Sequence, residues 1–489
     1  MTTTQPTAQQ TEQSGVKRRF VLNLLLLLLL NALVKPMWMF GIDRSVQNTV
    51  GANAYGIYYA LLNLSLILNM LLDLGLTGYN NRALSRNPSL LGRLSSRIAS
   101  LKTLLALLYT AITLVAFAAM GYQREHLMLV LLLIANQFMA SFILYLRSNL
   151  NALQHFVADS LLSVLDKLLC IALCGLMLWG NISGFEVSIS NFALAQSASY
   201  LITMIVAAAA VAKLGAQWRR PNATASVHML RRCWPFALLS LLMATYYHID
   251  VLMVERLCPN GSLQAGIYAQ AIRLYDAYAI YPYLVSTLLL PIFGRMLKQQ
   301  TPIGGFTNLA MGLILTPALS VALPTIVFAQ PLMELLYVAH SHESAQTLSL
   351  LMLSYICLAI SYVLGTLLTA HGAIRQLNWL SLGAVILSIA MQLTLVPWLG
   401  IIGAAIGRVC VLAIVALTQT ALCLRLWPLR PKTADLLRYA AFVVLGTSTC
   451  LAISHQTAPS IGFTLCVAIV LLLAFVLRII KLRDLRLLL

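Results

Sequence analysis

Charge is what this sequence has least of. Of its 489 residues only 9% are Asp, Glu, Lys or Arg, while 60% are hydrophobic. Soluble domains carry roughly 25% charged residues. So few charges cannot cover the water-facing surface of a 53.6 kDa chain, which excludes a soluble enzyme, a secreted disulfide scaffold and a disordered chain. Acids are scarcer than bases, 14 against 32, for a net charge of +18. No ATP-binding P-loop and no H-E-x-x-H motif is present, so transport powered by a nucleotide bound to this chain and zinc hydrolysis of that type are not expected. The nine cysteines lie mostly inside apolar runs. Cys170 and Cys174 share a helix face, but no second pair at metal-ligand spacing follows. They read as small buried hydrophobes, and no metal or cofactor is expected. A surplus of bases can signal nucleic acid. Here it reads as the Lys and Arg enrichment of cytoplasmic loops, with the lipid bilayer as partner and no nucleic acid.

What the chain does have is long apolar runs. Residues 1–16 are Thr- and Gln-rich and are expected to stay disordered. Lys17, Arg18 and Arg19 then precede an apolar run from Phe20 to Phe40. That order also opens a signal peptide, but the run is long enough to span and no small-residue cleavage pattern closes it, so it reads as an uncleaved first helix. At about 20 residues per span, hydropathy predicts about fourteen spans in an all-α polytopic membrane protein. They cover 20–41, 54–79, 99–120, 126–146, 158–180, 190–212, 235–255, 267–294, 306–330, 346–370, 378–396, 401–424, 437–454 and 460–478. The eighth is over-long and holds Pro282 and Pro291, which predicts a kink or a partly interfacial stretch.

The basic residues orient these spans. With the N-terminus inside, the inner segments hold 25 Lys and Arg, Lys102 and Arg147 among them, and the outer segments hold only Arg44, Arg124 and Arg256. This predicts that both termini are cytoplasmic. Gly56-Ile57-Tyr58 recurs as Gly266-Ile267-Tyr268 at an offset of 210 residues, with Ile42-Asp43 and Ile249-Asp250 ahead of the two copies. An even-numbered repeat of six helices predicts two lobes related by an axis along the membrane normal, with a site between them. The boundaries that follow are an N-lobe over 17–213, a basic linker over 214–234, a C-lobe over 235–425, and two added spans with a basic tail over 426–489.

Charges inside a bilayer are costly and are the places to look for function. The cations are Lys35, Lys167, Arg273 and Arg408; the acids are Asp73, Asp166, Asp250 and Asp276. Equal numbers leave the interior without net charge. Arg273 and Asp276, three apart on one helix, are able to pair. Adjacent Asp166 and Lys167 point in different directions and are expected to need separate partners. Lys35 and Asp250 each lie about 24 Å up their helices, at equivalent places in the two halves. Pro36 is placed to free backbone groups beside Lys35. Tyr246, Tyr247, Tyr268, Tyr275, Tyr278, Tyr281 and Tyr283 cluster near that level, as an interfacial belt or as a wall against which sugar rings pack. Gly403 and Gly407, ahead of Arg408, read as a helix-packing pair. The candidate substrate contacts are Lys35, Arg44, Lys167, Arg273, Arg408, Tyr275 and Tyr278, and the candidate ion-coupling groups are Asp73, Asp250 and Asp276.

Several motifs occur in a recognisable order. Val50-Gly51-x-x-x-Tyr55-Gly56-Ile57-Tyr58 and the stretch from Asp73-Leu74-Gly75 to Asn81-Arg82 come first. Ile249-Asp250 with Gly266-Ile267-Tyr268-Ala269 follows, and then Pro397-x-x-Gly400-x-x-Gly403-Ala404-Ala405, with matches recurring through Arg425. This order resembles oligosaccharide flippases of the polysaccharide-biosynthesis (Wzx-type) family. The resemblance implies the fold of multidrug/oligosaccharidyl-lipid/polysaccharide (MOP) exporters. The implied substrate is a polyprenyl-pyrophosphate-linked oligosaccharide, carried across the bacterial inner membrane for surface polysaccharide synthesis. Other polysaccharide assembly proteins are further implied partners. A cation-coupled multidrug exporter and a lipid II flippase of the same superfamily are the alternatives within transport. A membrane glycosyl polymerase or ligase is the alternative outside it, and such an enzyme generally needs a sizeable outer loop that this sequence lacks.

Overall fold

In lipid, backbone N–H and C=O groups have no water to bond, so an apolar chain satisfies them within helices. The computed structural model describes residues 29–31, 33–180, 186–216, 223–427, 433–477 and 479. The tail over 1–16, the basic triplet Lys17 to Arg19, the start of the first span, part of the basic linker and the basic end from 480 lie outside the described residues.

The first span leads into a π-helical segment, Met37–Asp43, that begins directly after Pro36. It is followed by α1 (Arg44–Val50). Gly51, at a left-handed φ of 83°, separates α1 from α2 (Ala52–Leu68). A short 3₁₀ turn follows, then α3 (Leu76–Arg86), α4 (Leu91–Ala119), α5 (Leu127–Ala152), α6 (Phe156–Trp179), α7 (Ile189–Lys213), α8 (Ala223–Leu257) and α9 (Gly261–Lys298). The chain continues as α10 (Gly304–Val327), the short α11 (Ala329–Leu336), α12 (Ser341–His371), α13 (Ile374–Leu426), α14 (Thr433–Ser454) and α15 (Pro459–Val476).

Among the described residues twelve helices are long and apolar enough to cross a membrane. Two features separate this from the fourteen expected. The eleventh and twelfth expected spans share the 53-residue α13, interrupted only by non-helical Gly400 at φ 58° and ψ −135°, and the first span is described only from residue 29. The second span ends earlier than expected. Leu74 and Gly75, at φ 44° and 81°, break the chain after residue 72, and 76–86 becomes the separate α3. The eighth runs as one 38-residue helix through both Pro282 and Pro291.

The chain forms two compact units. The first comprises residues 1–50 and 68–237. Its core joins Leu76 and Leu84 of α3, Leu91, Leu94 and Ile98 of α4, Phe142 and Leu146 of α5, and Ala207 and Val211 of α7. Within it Asn80 donates to Ser148 Oγ (2.8 Å) and Asn149 Oδ1 (3.0 Å), and Tyr145 donates to the Ser95 carbonyl (2.9 Å).

The second unit comprises residues 51–67 and 238–489, so that α2 groups with the later helices. The reason lies in the repeated glycines. Gly56 faces the Ser262 carbonyl and Gly266 faces the Ala52 carbonyl, so closely that a Cβ at either position would fall within the oxygen's contact radius. Small residues let two helix backbones approach in this way. The two Gly-Ile-Tyr copies therefore pack against one another. In the same unit, Phe442 and Cys450 of α14 and Cys466 and Val470 of α15 pack with Leu319 of α10 and Phe328.

Candidate functional site

In the first unit, polar groups collect around the π-helical turn. A π segment widens a helix by one residue and is frequent at functional sites. Trp38 within it stacks on Phe192 at 5.8 Å between ring centroids. The Lys167 ammonium lies 5.3 Å from the Trp38 ring centroid and 5.0 Å from that of Tyr200, and it donates to the Tyr200 hydroxyl at 2.9 Å. It also pairs with its neighbour Asp166 at 3.4 Å. This corrects the expectation of separate partners: the long lysine stem reaches back to the adjacent carboxylate. One turn earlier on α6, Ser163 accepts from Asn31 at 3.0 Å. Half-buried Lys35 makes no hydrogen bond or ion pair among the described residues, and the charges acting on it are those of Lys167, Asp166 and Arg147. Arg147 is itself bound to Asp159 at 2.7 Å. The Arg44 Nε is buried without a partner among the described residues.

Asp73 has local partners. It accepts from the Thr77 backbone N–H and hydroxyl at the start of α3 and pairs with Lys102 at 2.7 Å. Lys102, counted above with the inner loops, is only 1% exposed, and it also donates to Ser141 (2.7 Å) and the Leu72 carbonyl (3.1 Å). Its place is inside the bundle, as the counter-ion that makes Asp73 tolerable there.

In the second unit Arg408 and Asp250 form a buried ion pair at 2.6 Å, with side-chain exposures of 5% and 2%. Tyr268 donates to the same carboxylate oxygen at 2.8 Å, the Val251 N–H donates to the other at 2.9 Å, and Arg408 donates to the Tyr247 carbonyl at 2.9 Å. The guanidinium carbon sits 4.7 Å from the Tyr275 ring centroid. Arg273 directs two N–H groups to the Tyr55 hydroxyl, at 3.0 and 2.9 Å, and lies 4.7 Å over Tyr59. Asp276 makes no ion pair among the described residues, although the helix spacing allowed one with Arg273.

Asp276 instead lines a cavity of about 250 Å³ with Asn63, Tyr247, His248, Tyr275, Tyr362 and Arg408. His248 and Asn63 are joined through Nδ1 and Oδ1 at 2.7 Å. Both were missed in the sequence; the visible signal was two polar side chains within otherwise apolar runs. Aromatic faces with a carboxylate, an amide, an imidazole and a guanidinium suit a hydroxyl-rich, ring-shaped ligand. The tyrosines divide accordingly. Tyr246, Tyr268 and Tyr275 are buried, while Tyr281 and Tyr283 are exposed in the manner of an interfacial belt. Tyr278 takes a hydrogen bond at its carbonyl from Tyr355 at 3.2 Å. Among the described residues no three His, Cys, Asp or Glu side chains come together as metal ligands.

The family model described as "Polysaccharide biosynthesis protein" matches residues 21–297. No curated protein matches the chain. Among solved structures, the lipid II flippase MurJ in an inward closed conformation is similar at a TM-score of 0.70 and 16% identity, covering 94% of this chain and 99% of that one. An inward-facing multidrug resistance MATE family transporter of the MOP superfamily is similar at 0.60 and 15%, covering 78% and 93%. The Vibrio cholerae MATE transporter VcmN is similar at 0.58 and 20%, covering 84% and 97%. At these identities the likeness establishes the fold, that of MOP-superfamily transporters.

Proposed function

The chain belongs to the polysaccharide biosynthesis protein family, and from that premise we propose that it is a flippase and not an enzyme. It moves a polyprenyl-pyrophosphate-linked oligosaccharide across the bacterial inner membrane by alternating access, with both termini cytoplasmic. The observation that carries this reading is the charge around the π-helical turn. Three cations, Lys35, Lys167 and Arg44, stand around this turn against two acids, Asp166 and the buried Asp43, so positive charge is in excess there. Retaining an uncompensated charge there is costly unless a ligand supplies the counter-charge, and a pyrophosphate does. Arg44 is the next cation along the same segment.

The aromatic cavity of the second unit, with Tyr275, Tyr247 and Tyr362 as walls, has the chemistry to pack against sugar rings. The polyprenyl tail stays in lipid, because burying its methylenes elsewhere gains nothing over the bilayer at about 0.8 kcal/mol per CH₂. Asp276 is the ion-coupling candidate the geometry favours, since Asp73 and Asp250 are neutralised by Lys102 and Arg408. Arg273 and Arg408, engaged by Tyr55 and Asp250, act by holding helices in place. The test is complementation of a deletion strain at matched protein levels. Lys35→Ala and Lys167→Ala should each cause lipid-linked oligosaccharide to accumulate, while Arg124→Ala should not. Full glycan export by both lysine variants would refute the assignment.

A further inference from the structure

Four arginines, Arg82, Arg86, Arg93 and Arg97, fall within sixteen residues, and none makes a hydrogen bond or ion pair among the described residues. The first three are exposed and the fourth is half-buried. The fold sets them out in a definite way. α3 buries Leu76, Asn80 and Leu84, which turns Tyr79, Arg82 and Arg86, spaced by three and four residues, to its outer face. An Asn87-capped turn, Pro88–Leu90, leads into α4. The inner face of α4 (Leu91, Leu94, Ile98) joins the same core as Leu76 and Leu84.

Among the described residues no acid pairs with them. The chain has no Asp or Glu between Asp73 and Glu125. Asp73 is taken by Lys102 and Asp159 by Arg147, both at 2.7 Å. The face also continues. Beyond Arg93 and Arg97 the same side of α4 presents Leu104 (62% exposed), Leu108 (49%) and Val115 (68%), in the three-to-four spacing of a single helical stripe. Leu104 lies about 10 Å along the axis from Arg97. A charged head followed by an apolar stripe of this length is the outline of a phospholipid.

We propose that the outer face of α3 and α4 is a docking site for anionic phospholipid, with Arg82, Arg86, Arg93 and Arg97 on the headgroup phosphodiester and Leu104, Leu108 and Val115 along the acyl chains. Free phosphate satisfies the arginines but leaves the leucine stripe unexplained. Arginine also suits the task, because its planar fork donates two parallel hydrogen bonds to one phosphate. This site is separate from the charges assigned to transport.

The test reads the lipid in contact with the stripe. The full chain, with the photo-crosslinking residue benzoylphenylalanine in place of Leu104, is reconstituted in vesicles of equimolar phosphatidylglycerol and phosphatidylcholine. It is then irradiated, and the crosslinked lipid is identified by mass spectrometry. Phosphatidylglycerol should exceed phosphatidylcholine about five-fold or more, since one basic residue near a membrane surface is worth roughly that factor for an anionic lipid. High salt should reduce the excess. Arg93→Gln with Arg97→Gln should bring it to the bulk ratio, and Arg124→Gln, beyond the far end of α4, should leave it unchanged. The salt series uses the unaltered arginines and is therefore independent of how well the glutamine variant folds. Crosslinked lipid matching the bulk composition, or an excess that survives the two Gln substitutions, would overturn the proposal.

Discussion

Replacing Asp250 by Asn removes the countercharge of Arg408 and keeps the side chain's shape. The guanidinium does not lose its proton in a protein, so it remains charged, 5% exposed, with the Tyr247 carbonyl, the Tyr275 ring and Asp276 of the same cavity as its remaining neighbours. Breaking one side of a buried pair costs about 3–5 kcal/mol, a factor of roughly 10² to 10³·⁵ in the folded-to-unfolded ratio. Arg408→Met alone should cost less. The carboxylate it strands keeps the hydrogen bonds from Tyr268 and the Val251 N–H and is able to take up a proton. The double variant Asp250→Asn with Arg408→Met removes both charges of the pair, and it should recover to within about 1 kcal/mol of the parent, since apolar replacement of a buried pair is often neutral. The assay is thermal unfolding of the purified proteins in one detergent, together with the amount of folded protein in the membrane. Costs that simply add in the double variant, or an Asp250→Asn protein as stable as its parent, would refute the reading of this pair as a mutually dependent structural element.

Two further predictions follow from neighbouring geometry. Gly266→Ala sets a methyl group against the Ala52 carbonyl and should destabilise by about 1–3 kcal/mol through overpacking, measured as a lower unfolding temperature, whereas Gly305→Ala, with open space around it, should not. Asp276→Asn should leave the folded amount unchanged, because the carboxylate has no ion pair among the described residues. It should make transport in vesicles insensitive to an imposed ion gradient; a gradient response equal to the parent's would remove Asp276 from the coupling role.

The membrane class, the helical segments and the family were all legible in the sequence, because apolar runs of span length and an ordered set of motifs are local patterns. Partnership was not. Gly56 and Gly266 were visible as a repeat, yet repetition does not reveal that the two copies touch, which depends on helices 210 residues apart being packed together. Lys102 stands a few residues inside a span beside a basic segment and reads as part of it; only the fold brings Asp73, Ser141 and the Leu72 carbonyl around it. Lys167 reaches Asp166 through a flexible stem that a helical wheel does not represent. Pro36 did announce a disturbance beside Lys35, and the helix there widens into a π turn. Asp43, read as part of an outer connection next to Arg44, is buried at 2% exposure, since the helical structure continues past the expected end of the first span.

Carriage of a pyrophosphate-linked glycan lipid across a bilayer is measurable in vesicles holding the purified full chain. A short-chain polyprenyl-pyrophosphate oligosaccharide is placed in the outer leaflet, and its loss of accessibility to an added, membrane-impermeant glycosidase is followed in time. Transfer of this short-chain substrate should run well above protein-free vesicles and be lost on Lys35→Ala with Lys167→Ala. Transfer no faster than in protein-free vesicles, or transfer undiminished when both lysines are replaced, would contradict it.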